Sequence, residues 1–236
     1  MSPDRFARGL GRLWDDFPRS PHPRDRCLTR LLREVPGMAS ENKLMLLHFA
    51  ASLLPLTEAY VEVGAWYGLS IIAAASANER SSFIAIDDFS QFGGTRLRLE
   101  QNLKRFDVSD RVAVVETGCA ELLRSRSPFG QRPVGVFFYD GDHSYKAQFR
   151  ALRGIEPHLA DRALIIIDDT SSGVVRQATA EFARFRPEWR LLLDILSDRD
   201  RDPVWWNGIQ VFAYHRRRGR QGSNLRAALQ RRLGRL

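Results

Sequence analysis

The sequence is poor in cysteine. It has two among 236 residues, Cys27 and Cys119, far apart and in no metal-binding or redox spacing. That excludes a disulfide framework and a thiolate metal knuckle, and both read as free thiols. Long hydrophobic runs are missing as well. None approaches the roughly 20 apolar residues of a membrane helix. The opening "MSPDRFARGLGRLWDD" carries charge where a leader peptide would need an apolar core. A soluble, cytoplasmic protein is expected. No internal repeat or low-complexity linker divides the chain, and its length suits one α/β domain with small additions. Acids are missing from the end: residues 215–236, "HRRRGRQGSNLRAALQRRLGRL", hold eight arginines and no acid. The net charge of the whole chain is also +8, so residues 1–214 are close to neutral. The basicity is therefore a local appendage and not a charged face, which argues against nucleic acid as the main partner.

What is present is a regular alternation. Hydrophobic residues make up 44%, enough for a core. Short apolar runs fall at 59–63 (AYVEV), 82–86 (SFIAI), 112–116 (VAVVE), 134–139 (VGVFFY) and 163–167 (ALIII). They are continuous and not alternating, as strands buried on both faces of a parallel sheet are. Helical patterns fill the gaps at 69–78, 95–106, 120–126 and 144–159, and Tyr145, Phe149, Leu152 and Ile155 share one face of the last. Runs at 189–196 and 208–214 add two late strands. Before the first strand, "SENKLMLLHFAASLL" predicts an apolar helix with Ser40 or Asn42 as cap. Two shorter helices are expected ahead of it, one around Phe6, Leu10, Leu13, Trp14 and Phe17, the other around Leu28, Leu31, Leu32 and Val35. The expected fold class is a doubly wound, mostly parallel α/β sheet of seven strands with an N-terminal helical addition. Its parts are a helical extension over 1–39, a main domain over 40–214 and the basic tail over 215–236.

Ligands of such sheets bind at the carboxyl ends of the strands, where the strand order reverses. The first strand ends in "VEVGAWYGLS". A dinucleotide fingerprint would read G-x-G-x-x-G, but Trp66 fills the middle place and no third glycine stands at 69. Gly64 and Gly68 allow a tight turn and a close approach, while Glu62 suits a ligand with an ammonium or hydroxyls and little negative charge. Asp87 closes the second strand, where a carboxylate accepts both hydroxyls of a ribose, with Asp88 as fallback. Gly118 and Cys119 follow the third, beside the place for an adenine. The fourth strand ends at Asp140 and the fifth at Asp168-Asp169, so neighbouring strand ends deliver three carboxylates to one crevice. Unpaired they would repel one another, and a cation is the natural remedy; oxygen ligands of this kind suit Mg²⁺. Asp142 reads as a helix cap. His143 can take a proton from a hydroxyl at neutral pH. Tyr145 reads as core and Lys146 as solvent-facing. Trp205 and Trp206 read either as a ring-stacking pair or as an apolar plug.

"VEVGAWYG", "AIDD", "FFYDGDHSY" and "LIIIDDT" together resemble a class I S-adenosylmethionine-dependent methyltransferase. They are similar to the branch whose fourth strand ends in D-G-D-H-S-Y, and the resemblance covers about residues 38–214. It implies that S-adenosylmethionine is the cofactor. Glu62, Gly64 and Gly68 match the motif around its methionine part, Asp87 the ribose acid, and Gly118, Cys119 and Ala120 the turn beside adenine; Asp140 borders the cofactor too. Many relatives carry an aspartate where Cys119 stands, so adenine would rely on backbone contacts. Asp140, Asp168 and Asp169 match the metal triad of small-molecule O-methyltransferases of catechol and macrolide-sugar type, and Asp-Asp is nearer the sugar-modifying version. The implied activity is O-methylation of a hydroxyl on a small molecule such as a glycosylated natural product, with Asp140 and His143 as catalytic residues and Mg²⁺ as helper. Three other readings compete: a metal-independent N- or O-methyltransferase using Asp140 and His143, an RNA- or nucleotide-binding module using the arginine tail, and, more distantly, a nicotinamide oxidoreductase. The N-terminal helices are expected to cover the cofactor or to form a homo-oligomer surface.

Overall fold

The computed structural model describes residues 1–125, 128–197 and 199–217. Most of the arginine tail lies outside them. Seven strands form one sheet: β1 (Ala59–Val63), β2 (Ser82–Asp87), β3 (Val112–Glu116), β4 (Val134–Tyr139), β5 (Leu159–Asp168), β6 (Trp189–Ile195) and β7 (Ile209–His215). Their order is β3-β2-β1-β4-β5-β7-β6, with β7 antiparallel to both neighbours and the remaining pairs parallel. The helices are α1 (Pro3–Gly9), α2 (Thr29–Glu34), α3 (Glu41–Ser52), α4 (Leu69–Ala75), α5 (Arg96–Arg105), α6 (Cys119–Leu122), α7 (Tyr145–Ile155) and α8 (Gly173–Ala183). Among the described residues no helix is long and apolar enough to cross a membrane.

The uninterrupted apolar runs have the cause inferred for them in the central strands but not in β3, at the sheet edge, where only Val112 is buried. β1 and β4 are buried at every residue. Successive side chains point to opposite faces, so one strand feeds two cores. Tyr60, Phe138 and Ile166 pack with α3, α4 and the N-terminal segment, whereas Val61, Phe137 and Ile165 pack with α7 and α8. β5 begins four residues earlier than its apolar run, because Leu159 pairs with Val134 ahead of a register shift. α4 and α6 are shorter than their patterns predict, and residue 126 of the expected helix lies outside the described residues.

Three local expectations are corrected. Ser40 caps α3 by accepting from Lys43 N–H, whereas Asn42 is buried, accepting from Trp14 Nε1 at 2.7 Å and donating to Ser20 O at 2.8 Å. Tyr145 is not core: it lies on the exposed side of α7, and its hydroxyl donates to Glu181 at 2.5 Å. Trp205 and Trp206 do not act as a pair. Trp205 is buried against Trp14 and Phe17 and donates from Nε1 to Pro18 O at 2.6 Å, while Trp206 faces a cavity.

Trp205 thereby ties the segment between β6 and β7 to the N-terminal extension, with a second tie from Ser40 Oγ to Val204 O at 2.8 Å. Trp205→Ala should cost about 3–5 kcal/mol in urea unfolding, the usual range for emptying a buried aromatic site. Amide exchange over residues 1–20 should accelerate with it. A cost under about 1 kcal/mol would show that the indole is not the anchor.

Candidate active site at the switch point of the sheet

From β1 the chain winds outward to β2 and β3, then returns to place β4 on the other side of β1. The crevice this reversal opens holds a cavity of about 550 Å³. Its floor requires glycine. Gly64 has φ +88°, and a Cβ there would collide with the carbonyl oxygen of Asp140. Gly68, at φ +92°, starts α4. Asp140 N–H donates to Val63 O at 2.9 Å, which fixes the β4 end against the β1 end.

At one end of the cavity Asp87 is held by two backbone donors: Trp66 N–H to Oδ2 and Phe89 N–H to Oδ1, both at 2.7 Å. Asp88 is absorbed into a turn with Ser90, whose hydroxyl and N–H hold its carboxyl below the usual range. Thr117, Gly118, Cys119 and Ala120 line the wall beside Asp87. Burial pushes the Cys119 thiol up to about 12, so it is no nucleophile. Glu62 lies behind the wall and does not line the cavity. Ser70 Oγ, which does, donates to Glu62 Oε1 at 2.5 Å, and Tyr60 OH donates to Oε2 at 3.3 Å. Complete burial raises the Glu62 carboxyl to about 8, with Asp140 and Asp87 adding to the effect against the opposing bonds from Ser70 and Tyr60.

The other end carries the acids. Asp140, Asp168 and Asp169 come together, as the strand ends implied. His143 lies between two of them, Nε2 at 3.4 Å from Asp140 Oδ1 and Nδ1 at 3.2 Å from Asp169 Oδ2. The Asp140 carboxylate beside it raises the imidazole pKa. Enclosure by protein, and then Asp168, lift Asp140 to about 7, against the pull of His143. Asp168 is different. It is buried, and its Oδ1 accepts from the Lys43 ammonium and from Asp169 N–H. Burial lifts its carboxyl and Lys43 opposes the lift.

The triad implied for a divalent ion is therefore not three free carboxylates, since Lys43 already holds Asp168. Among the described residues, the donor atoms that lie within 4.8 Å of one another belong to Asp140, His143 and Asp169 instead. Lys43 was missed in the sequence, although a lysine inside "NKLMLLHF" is the kind of buried charge that demands a partner. Also missed were Ser70, Thr117 and the segment Pro36–Gly37–Met38–Ala39, which lines the cavity. Trp66, Phe92, Arg201, Trp206 and Asn207 complete the outer wall. Asp142 behaves as expected of a cap, with Oδ1 accepting from Ser144 N–H at 2.8 Å.

Residues 61–170, from within β1 to just past β5, match a family described as a methyltransferase domain. No curated protein matches the sequence. Among solved structures, the O-methyltransferase TomG of Streptomyces achromogenes, with S-adenosylmethionine bound, has 15% identity and a TM-score of 0.62 over 92% of this chain and 100% of its own. An O-methyltransferase of Bacillus cereus in complex with S-adenosylhomocysteine has 15% identity and a TM-score of 0.61 over 90% and 99%. A Klebsiella pneumoniae protein has 20% identity and a TM-score of 0.60 over 82% and 92%. The fold of this chain is the Rossmann-like fold of such methyltransferases.

Glu62 offers a direct test of the burial argument. Its carboxyl keeps a proton in the folded chain up to about pH 8, whereas the unfolded chain releases it near 4.5. The folded state thus binds the extra proton, and stability from this group is lost as pH rises between those values, by at most about 1.4 kcal/mol per pH unit. Glu62→Gln keeps hydrogen-bonding capacity and removes the titration. Urea unfolding at pH 5, 6.5 and 8 should show a shallower decline for the variant, and parallel declines would refute the buried, protonated carboxyl.

Proposed function

We propose that this chain, which carries a methyltransferase domain, transfers the methyl group of S-adenosylmethionine to a hydroxyl oxygen of a small molecule. The observation that carries the reading is the division of one cavity into a ribose-type end at Asp87 and an acid–imidazole end at Asp140, His143 and Asp169.

The cofactor bears a sulfonium, an ammonium, a carboxylate and a ribose, and no phosphate. The chain matches that inventory. Asp87, fixed by two N–H donors, presents its carboxylate to the ribose hydroxyls. Gly118, Cys119 and Ala120, with Thr117, flank the adenine. Gly64 lets the methionine part pass close to backbone, and Ser70 relays it to Glu62. Held this way, the cofactor would bring its sulfonium to the acid end of the cavity, where Asp140 lies. In the reaction the acceptor oxygen attacks the methyl carbon. The C–O bond forms, the S–C bond breaks, and the electron pair stays on sulfur as a neutral thioether. The hydroxyl proton passes to the imidazole of His143, whose residue lines the cavity between Asp140 and Asp169. Asp140 and Asp169 on either side stabilise the imidazolium. Alignment of donor and acceptor supplies the rest. Asp168 of the implied metal triad is committed to Lys43, so the transfer rests on these side chains.

The acceptor enters past Trp66, Phe92 and Trp206. Ring faces of this kind suit a sugar or aromatic ring, and Arg201 and Asn207 offer polar contacts at the rim. A glycosylated natural product or other saccharide is the acceptor class this wall supports best.

Calorimetry with S-adenosylhomocysteine should give binding heat, and Asp87→Ala should weaken it. Absence of heat from the folded wild-type chain would end the reading. A panel of glycosides, polyols and phenols, scored by S-adenosylhomocysteine formed, should identify the acceptor. With that acceptor His143→Ala should lower turnover by about 10²–10⁴-fold while affinity for S-adenosylhomocysteine is kept. The acidic limb of the wild-type pH profile should lie above the ordinary imidazole value, in the direction Asp140 shifts the ring.

A further inference from the structure

We propose that Lys43 is the resident cation of the carboxylate cluster: its ammonium fixes Asp168 and fills the charge-compensating role of a divalent ion, so that the site needs no metal. The inference takes its location, the methyl-transfer end of the cavity, from the function proposed above, and adds how the acids there are neutralised.

Lys43 projects from the first turn of a helix whose Leu44, Leu46 and Leu47 are wholly buried, and is itself 1% exposed. An ammonium in such surroundings persists only with a partner that balances the loss of water. Asp168 is that partner, 2% exposed and aimed at Lys43 from the end of β5. The pair is not an incidental contact that a ligand would sweep aside, because the turn carrying Lys43 is pinned by its neighbours. Ser40 is bonded to Val204 O, Glu41 accepts from Arg26 Nε and from the Thr29 hydroxyl, and Asn42 joins Trp14 to Ser20. The ammonium also borders the cavity. A divalent ion approaching Asp140 and Asp169 would meet this fixed charge and, with cofactor bound, the sulfonium as well. It would find Asp168 already turned to Lys43, its Oδ1 accepting from that ammonium and from Asp169 N–H.

Mn²⁺ serves as the probe, followed by electron paramagnetic resonance of the free ion in the presence of S-adenosylhomocysteine. The wild-type chain should take up no Mn²⁺ in the submillimolar range. Lys43→Met, which leaves Asp168 without its cation, should take up one Mn²⁺ at least about tenfold more tightly than wild type. Mn²⁺ should also raise its melting temperature. The double variant Lys43→Met/Asp168→Asn should lose the gained binding. Micromolar uptake of one Mn²⁺ by wild type overturns the proposal whether or not Lys43→Met folds, and so does a folded Lys43→Met with no gain. Calorimetry with S-adenosylhomocysteine, run in parallel, separates the two levels. Cofactor heat together with tight wild-type Mn²⁺ binding rejects the resident cation alone, whereas no cofactor heat rejects the methyltransferase reading.

Discussion

Carboxylates can be gathered in a protein crevice only if positive charge is gathered with them, and the arrangement of this chain follows from that requirement. The β4 and β5 ends deliver Asp140, Asp168 and Asp169 because parallel strands on either side of a switch point finish at the same level. Repulsion among them would raise their pKa values and loosen the strand ends unless cations faced them. His143 reaches Asp140 and Asp169 from the loop before α7, and Lys43 reaches Asp168 from α3. The acids are local in the sheet, but the basic groups facing them are 100 positions apart in the chain. The site is therefore complete only when α3 is docked.

That dependence gives the N-terminal extension its purpose. It is not an appended cap. Phe6, Leu10, Trp14, Leu31 and Val35 join the same core as α3 and one face of the sheet. Through Trp205 they also hold the segment that presents Trp206, Asn207 and Arg201 to the cavity. Trp206 and Arg201 have φ values of 53° and 54°, a backbone region that ordinary residues occupy only when the surroundings enforce it. Bonds from Trp206 N–H to Asp202 O at 2.6 Å and from Arg201 N–H to Asn207 Oδ1 at 2.8 Å hold them there. The outer wall of the cavity and the acid cluster thus share one support.

The sheet was legible because burial on both faces leaves a plain mark: continuous apolar runs that stop at an acid or a glycine. β1, β3 and β4 have the boundaries their runs predict, and the strand-end acids lie in one crevice. What stayed hidden depends on partners distant in sequence. Mg²⁺ was the expected remedy for three converging acids, and nothing near Asp168 says that Lys43 provides part of it. Helical spacing alone put Tyr145 in the core, yet the face it shares with Phe149 extends past the edge of the packed layer, where Glu181 offers a polar partner. Asn42 resembled a cap because caps are local. Its actual bonds, to Trp14 and Ser20, belong to the docking of the extension. Glu62 was expected near a ligand's ammonium from its strand position, but Ser70, which bonds it, lines the cavity in its place.

On the proposed reading the same charge accounting runs through the reaction. Before transfer, the sulfonium adds a positive charge facing Asp140. That charge opposes a second one on His143, so cofactor binding pulls the imidazole toward its neutral form and readies it as a base. Transfer of the methyl group removes the sulfonium charge, and the acceptor proton restores a charge on the imidazole. Asp140 and Asp169 therefore keep one positive neighbour before and after the step, at different atoms. Asp168, compensated throughout by Lys43, takes no part in the exchange. A cluster whose compensation merely moves from sulfur to nitrogen need not reorganise as the bond forms, which is the condition under which preorganised charge lowers a barrier most.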